Sequence, residues 1–202
     1  MGHSTGCQDV MEYLVGPGHE TRPPIDGGIL QAPVSDREGI LMSVGPGYYA
    51  ESCKVAQEMM DAGLARDIMP SKATRMFGPS PVSARRFLSL ASPNHDGDDD
   101  YFSSDLADER LVKTFGKVPA RTPLCFIFSG NDEHVPKTTD VSALLQKWTG
   151  FVKRGGGKVD EENSGIVENA SHNLQGSSAE VVSELVKRVL GFLNISPKES
   201  NI

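Results

Sequence analysis

The stretch Gly2-His3-Ser4-Thr5-Gly6, inside the opening MGHSTGCQDVMEYL (residues 1–14), decides how the rest of the chain is read. It fits the pattern G-x-S-x-G, in which a serine sits on a strand-to-helix turn so tight that glycines are expected on both sides. Such a turn needs a strand before it and a helix after it. The helix is legible: Cys7, Val10, Met11 and Leu14 recur at helical spacing, and Gly16-Pro17-Gly18 stops it. The strand is not, because almost nothing precedes Ser4. A glycine-flanked tail is the competing reading of the same five residues, since the chain holds 21 glycines and chance matches are easy.

The chain's 202 residues suffice for one domain with a real core or for a large piece of a bigger one. Hydrophobic content of 38% and charged content of 23% belong to a globular chain, not to a disordered or membrane-spanning one. The formal net charge of −7 comes with no basic stripe to neutralise phosphates, which removes nucleic acid and anionic membranes as partners. Cys7, Cys53 and Cys125 are odd in number and widely spaced, fitting neither a disulfide framework nor a zinc set. A reducing compartment, the cytoplasm, is therefore expected. No signal peptide and no membrane span is legible.

IDGGILQAPVSD (residues 25–36) carries a short apolar run, Ile29-Leu30 through Ala32, that predicts a buried strand. From residue 34 to 118 the strand–helix alternation fades. One amphipathic helix is expected there, Tyr49 to Gly63, with Val55, Met59 and Met60 on one side. The run MFGPSPVSARRFLSLASPNHDGDDDYFSSDL (residues 76–106) is expected to be irregular, and the whole segment to be a lid or binding insertion. TPLCFIFSG (residues 122–130) is the clearest strand, Thr139 to Val152 a helix, and GIVENASH (residues 165–172) a last short strand. SAEVVSELVKRVLGFL (residues 178–193) closes the chain as an amphipathic helix capped by Ser177 or Ser178. The alternation predicts the α/β class with a mostly parallel sheet flanked by helices.

The chemistry-bearing residues follow the strands. After FIFSG comes Asp132, where a carboxylate can face a histidine; turn chemistry is the other reading of Asn131-Asp132, and Glu133 and Asp140 are weaker candidates. After the last strand comes His172, with the two ring nitrogens needed to take a serine proton on one side and be held by a carboxylate on the other. His19 and His95 read as surface residues, and His134 is the rival base. Ser4, Asp132 and His172 occur in the order Ser, Asp, His, the chain order of α/β hydrolases. The Thr5 N–H, at the start of the helix, would receive the oxyanion; its usual second donor lies on a loop upstream of the serine turn. Asp96, Asp98 and Asp100 alternate as calcium ligands do, but Ala107 stands where an EF-hand needs its glutamate. A solvated loop is expected instead, with no metal and no cofactor in the site.

At GHSTGCQDVMEYL (2–14), IDGGILQAPVSDRE (25–38), DDYFSSDL (99–106) and SGNDEHVP (129–136), the sequence resembles a fungal family of α/β-hydrolase-fold proteins. That family is largely uncharacterised and includes siderophore esterases acting on fusarinine-type compounds. The resemblance covers nearly the whole chain. It implies a serine carboxylesterase with Ser4, Asp132 and His172 as its triad and a small-molecule ester as substrate, with siderophore-type esters among the candidates. Members carry further strands before the serine turn. The expectation is thus a single domain over residues 1–202 lacking its N-terminal strands, with the lid at 34–118 and Met1 internal to a longer protein. In that case the strand at Ile29 to Ala32 is expected to be an exposed apolar edge, and the chain unstable and weakly active. A non-catalytic interaction module that keeps the motifs is the alternative. The sequence is silent on oligomeric state.

Overall fold

The computed structural model describes residues 1–199, with side chains described through Asn194. The chain forms two compact units, one from Met1–Val34 together with Ser104 onward, the other from Ser35–Ser103.

The first unit is built on four parallel strands in the order β1 (Gly2–His3), β2 (Gly28–Gln31), β3 (Leu124–Ser129) and β4 (Gly165–Val167). Parallel neighbours need long crossovers, and helices supply them. Helix α1 (Gly6–Val15) follows β1, the short α5 (Asp108–Lys113) precedes β3, α6 (Val141–Arg154) joins β3 to β4, and α7 (Ala179–Glu199) follows β4. Every residue of β3 is buried, which explains its unbroken apolar run. Alternate side chains leave opposite faces. Cys125 and Ile127 join Ile29, Val167, Leu185 and Phe192 in a core beneath α7. Phe126 and Phe128 turn to Trp148 of α6, whose ring also stacks on Phe115 with centroids 5.3 Å apart. Asp140 caps α6 by accepting the Ala143 N–H, so it does not face His172 as a second acid. At α7 the cap is Ser178, whose Oγ accepts the Val181 N–H.

The strand expected at Ile29 to Ala32 is present as β2, but it is not the sheet's edge. Gly2 and His3 form a strand of their own and pair with Leu30 and Gln31. Two residues are enough because the Ser4 N–H continues the ladder to the Gln31 carbonyl, 3.1 Å away.

The second unit is more regular than its sequence suggested. Beside the expected amphipathic helix, here α3 (Pro46–Asp61), it holds α2 (Asp36–Val44) and α4 (Ala84–Ala91). Both additional helices begin on serine caps. Ser35 Oγ accepts the Glu38 N–H, and Ser83 Oγ accepts the Arg86 N–H. Ser35-x-x-Glu38 is a capping-box spacing that the proline and glycine content of the surroundings obscured. In α4, Ala84, Phe87, Leu90 and Ala91 are buried against Tyr49, Cys53 and Ala56 of α3, so packing rather than propensity makes this short helix.

The acidic run is also not a solvated loop throughout. Asp100 is buried. Its Oδ2 accepts from Arg37 Nε at 3.0 Å, and its Oδ1 accepts from the Ser103 N–H and hydroxyl. Ser35 Oγ lies 2.6 Å from Ser103 Oγ. The two ends of this unit are thereby joined by a buried ion pair and a serine pair. Asp99 pairs with Arg86, and Asp96 accepts from the Ser92 hydroxyl.

Candidate active site

Three of the four strands point their C-terminal ends at one place, as a parallel sheet requires. Ser4 follows β1 directly, Asp132 stands three residues past β3, and His172 stands five past β4. Strands about 4.8 Å apart put β1 and β4 more than ten ångströms from each other, so the loop after β4 must run back across the sheet to meet Ser4. Asn169 and Leu174, both with positive φ (61° and 63°), turn that loop. The Gly130 N–H donates to Val167 O and the Asn131 N–H to Ala170 O, stitching it to the loop after β3.

The serine turn is strained at Ser4 itself. Ser4 has φ of 53°, a conformation uncommon outside glycine. The turn closes through Cys7 N–H to Ser4 O, 2.8 Å. Gly2 is required by space, because a Cβ there would fall on the backbone of Gly6 and Cys7. Gly6 is not: a Cβ there would meet nothing, so the expectation of a glycine on sterics holds on one side of the serine only. Beneath the turn, the Cys7 thiol donates toward Gly2 O and Gln31 O at 3.4 and 3.2 Å, and burial pushes its pKa well above the usual thiol range.

His172 stands between the other two residues. Its Nδ1 is 2.8 Å from Asp132 Oδ2 and its Nε2 is 2.7 Å from Ser4 Oγ. A carboxylate only accepts, so Nδ1 carries the proton and Nε2 accepts from the serine hydroxyl. Asp132 is 2% exposed and His172 9%, which keeps water from competing for this contact. The other Asp132 oxygen accepts the His134 N–H at 2.9 Å. His134 itself is exposed and packs its ring edge-to-face on His172, centroids 4.6 Å apart, so it flanks the base and does not replace it beside Ser4.

Thr5 is the N-cap residue of α1, and among the described residues its N–H has no acceptor. It stands at the positive end of the helix dipole, next to the serine, where it can stabilise negative charge. Two neighbours were not legible as partners of this cluster. Glu133 Oε2 accepts the His172 backbone N–H at 2.9 Å, and that bond holds its carboxyl below the usual carboxylate range. His3 Nε2 lies 3.1 Å from the His172 carbonyl. Their adjacency to Ser4 and Asp132 was the only signal available in the sequence. Among the described residues no group of histidine, cysteine and carboxylate side chains is arranged to hold a metal, and no helix is long and apolar enough to cross a membrane.

The parallel sheet flanked by helices, with its serine turn at a strand end, defines an α/β-hydrolase type of fold. The chain belongs to the family described as protein of unknown function (DUF1749), whose model matches residues 1–194. It is 39% identical over 231 residues to the fusarinine C esterase sidJ of Aspergillus fumigatus, covering 96% of this chain and 65% of that protein. It is 37% identical to the esterase AN6793 of Emericella nidulans, covering 96% of this chain and 64% of the relative. Among solved structures, the siderophore hydrolase EstB from Aspergillus fumigatus is 41% identical, with a TM-score of 0.75 over 96% of this chain and 65% of that one. The chain thus spans just under two thirds of the length of these relatives.

Proposed function

We propose that the protein is a serine hydrolase that cleaves small-molecule carboxylic esters. The observation that carries this reading is the unbroken relay from Ser4 Oγ through His172 to Asp132, with both contacts shorter than 3 Å. The names of the relatives, esterase and hydrolase, point the same way.

In this mechanism Ser4 Oγ attacks the ester carbonyl carbon while His172 Nε2 takes the hydroxyl proton. The resulting oxyanion is met by the Thr5 N–H. The tetrahedral intermediate collapses by breaking the bond to the alcohol oxygen, which leaves with the proton from Nε2. Water then attacks the acyl-Ser4 ester by the same route, giving up a proton to Nε2 that passes to Ser4 Oγ as its bond to the acyl carbon breaks, which releases the acid and restores the serine hydroxyl. Asp132 keeps the imidazole in the tautomer that makes both transfers possible. The relatives' names suggest siderophore-type esters as the substrate. Residues 34–118 are proposed as the insertion that selects it, within a single domain over residues 1–202. The three free, buried cysteines favour a cytoplasmic site of action.

The test is labelling by a fluorophosphonate probe, with turnover of a p-nitrophenyl ester and of fusarinine C as readouts. Labelling at Ser4 that vanishes in Ser4→Ala and in His172→Ala is expected. A folded protein that takes no label would favour the non-catalytic module.

A further inference from the structure

We infer that Glu133 and His3 are positioning residues for His172, gripping its main chain so that its ring stays between Ser4 and Asp132. The inference rests on the hydrolase reading above. Each ring partner of His172 has a neighbour in sequence that takes one of its peptide groups. Asp132 bonds the ring and Glu133 accepts the backbone N–H at 2.9 Å. Ser4 bonds the ring on its other side, and His3 Nε2–H donates to the backbone carbonyl at 3.1 Å. Two dipeptides, His3-Ser4 and Asp132-Glu133, therefore hold the base at four points.

The loop needs such anchors. Among the described residues, the His172 N–H and C=O take part in no backbone-to-backbone bond, and Asn169 and Leu174, three residues before it and two after, are in the left-handed region. A turn closed by the Leu174 N–H to Ser171 O, 3.2 Å, spans His172, and the bonds from Glu133 and His3 to its own peptide groups set how the residue sits in that turn. Glu133 and His3 are themselves exposed, so neither is part of a core. A carboxylate accepting an N–H makes one of the stronger hydrogen bonds, which suits an anchor at the surface. The His3 bond places a proton on its Nε2, since a carbonyl oxygen only accepts.

The experiment compares wild type with Glu133→Ala, Glu133→Gln and His3→Phe in the rate of fluorophosphonate labelling at Ser4 and in ester kcat and KM. Hydrogen exchange at the His172 amide is followed in the same four proteins. Loss of either anchor should slow acylation and kcat about tenfold to a hundredfold, the scale expected for a misplaced catalytic group, with KM little changed. Glu133→Gln keeps an acceptor oxygen and should retain most of the rate and of the amide protection, whereas Glu133→Ala should lose both. Wild-type rates in Glu133→Ala and His3→Phe would overturn the inference while leaving the triad standing. So would a glutamine variant as impaired as the alanine one, since that outcome assigns the effect to charge alone. An unlabelled wild type whose amide protection still depends on Glu133 would sink the hydrolase reading and with it the catalytic role given to these anchors.

Discussion

Asp132 Oδ2 and His172 Nδ1 lie 2.8 Å apart across 40 residues of sequence, and both side chains are almost wholly shielded from water. The contact makes the imidazole a proton acceptor on the side of Ser4. Asp132→Asn keeps the shape but offers an amide N–H to Nδ1, which forces the proton onto Nε2. The expected result is a fall in kcat of about 10⁴-fold with KM little altered, checked by steady-state ester hydrolysis. A loss of less than tenfold would show that the tautomer is set by another group.

Gly2 and Gly6 flank the same serine, yet only Gly2 is hemmed in by backbone. Gly2→Ala should push the turn open, lowering the melting temperature and abolishing labelling at Ser4. Gly6→Ala should fold normally with an unchanged or slightly raised melting temperature, because a Cβ there meets nothing. Equal melting temperatures for the two variants would refute the close approach of Gly2 to the Gly6 backbone.

All three cysteines are free and buried, and burial raises each thiol pKa, that of Cys125 to about 12. Native protein should give no rapid reaction with a disulfide thiol reagent, and three equivalents after denaturation. The sign of the pH effect follows. Above the ordinary value of 9.0, unfolded chains lose thiol protons that the folded protein keeps. Stability should therefore decline as pH rises past that value. Denaturant midpoints measured from about pH 8 to about pH 11 check this, and Cys125→Ala should flatten part of the slope.

The Arg37–Asp100 pair is 7% and 3% exposed, and it ties together the two ends of the unit from Ser35 to Ser103. Asp100→Ala would leave a buried guanidinium without its carboxylate and should cost about 3–5 kcal/mol, read from denaturant unfolding. The double variant Arg37→Met/Asp100→Leu should recover much of that loss. If the single and double variants were equally damaged, the carboxylate's bonds to Ser103 rather than the ion pair would be the main contribution.

The local elements were legible because their signals are local. The apolar run Leu124 to Phe128, the helical spacing of Val141, Leu144, Leu145 and Trp148, and the amphipathic closing helix each depend on a few neighbouring residues, and β3, α6 and α7 stand where those patterns put them. The order Ser4, Asp132, His172, the last two each after a strand, was likewise readable, because a parallel sheet gathers its strand ends on one edge whatever the loops do. What the sequence left hidden depends on partners far away in the chain. Helix α4 exists because α3 offers it a surface, and Asp100 is an interior anion because Arg37 reaches it. Gly2-His3 becomes a strand because β2 lies beside it. Glu133 and His3 hold His172 only because the loop after β4 runs back across the sheet. Periodicity and turn chemistry determined the elements and the order of the candidate residues; which side chain meets which was decided by loop paths and burial, whose hydrogen bonds join residues up to 169 positions apart.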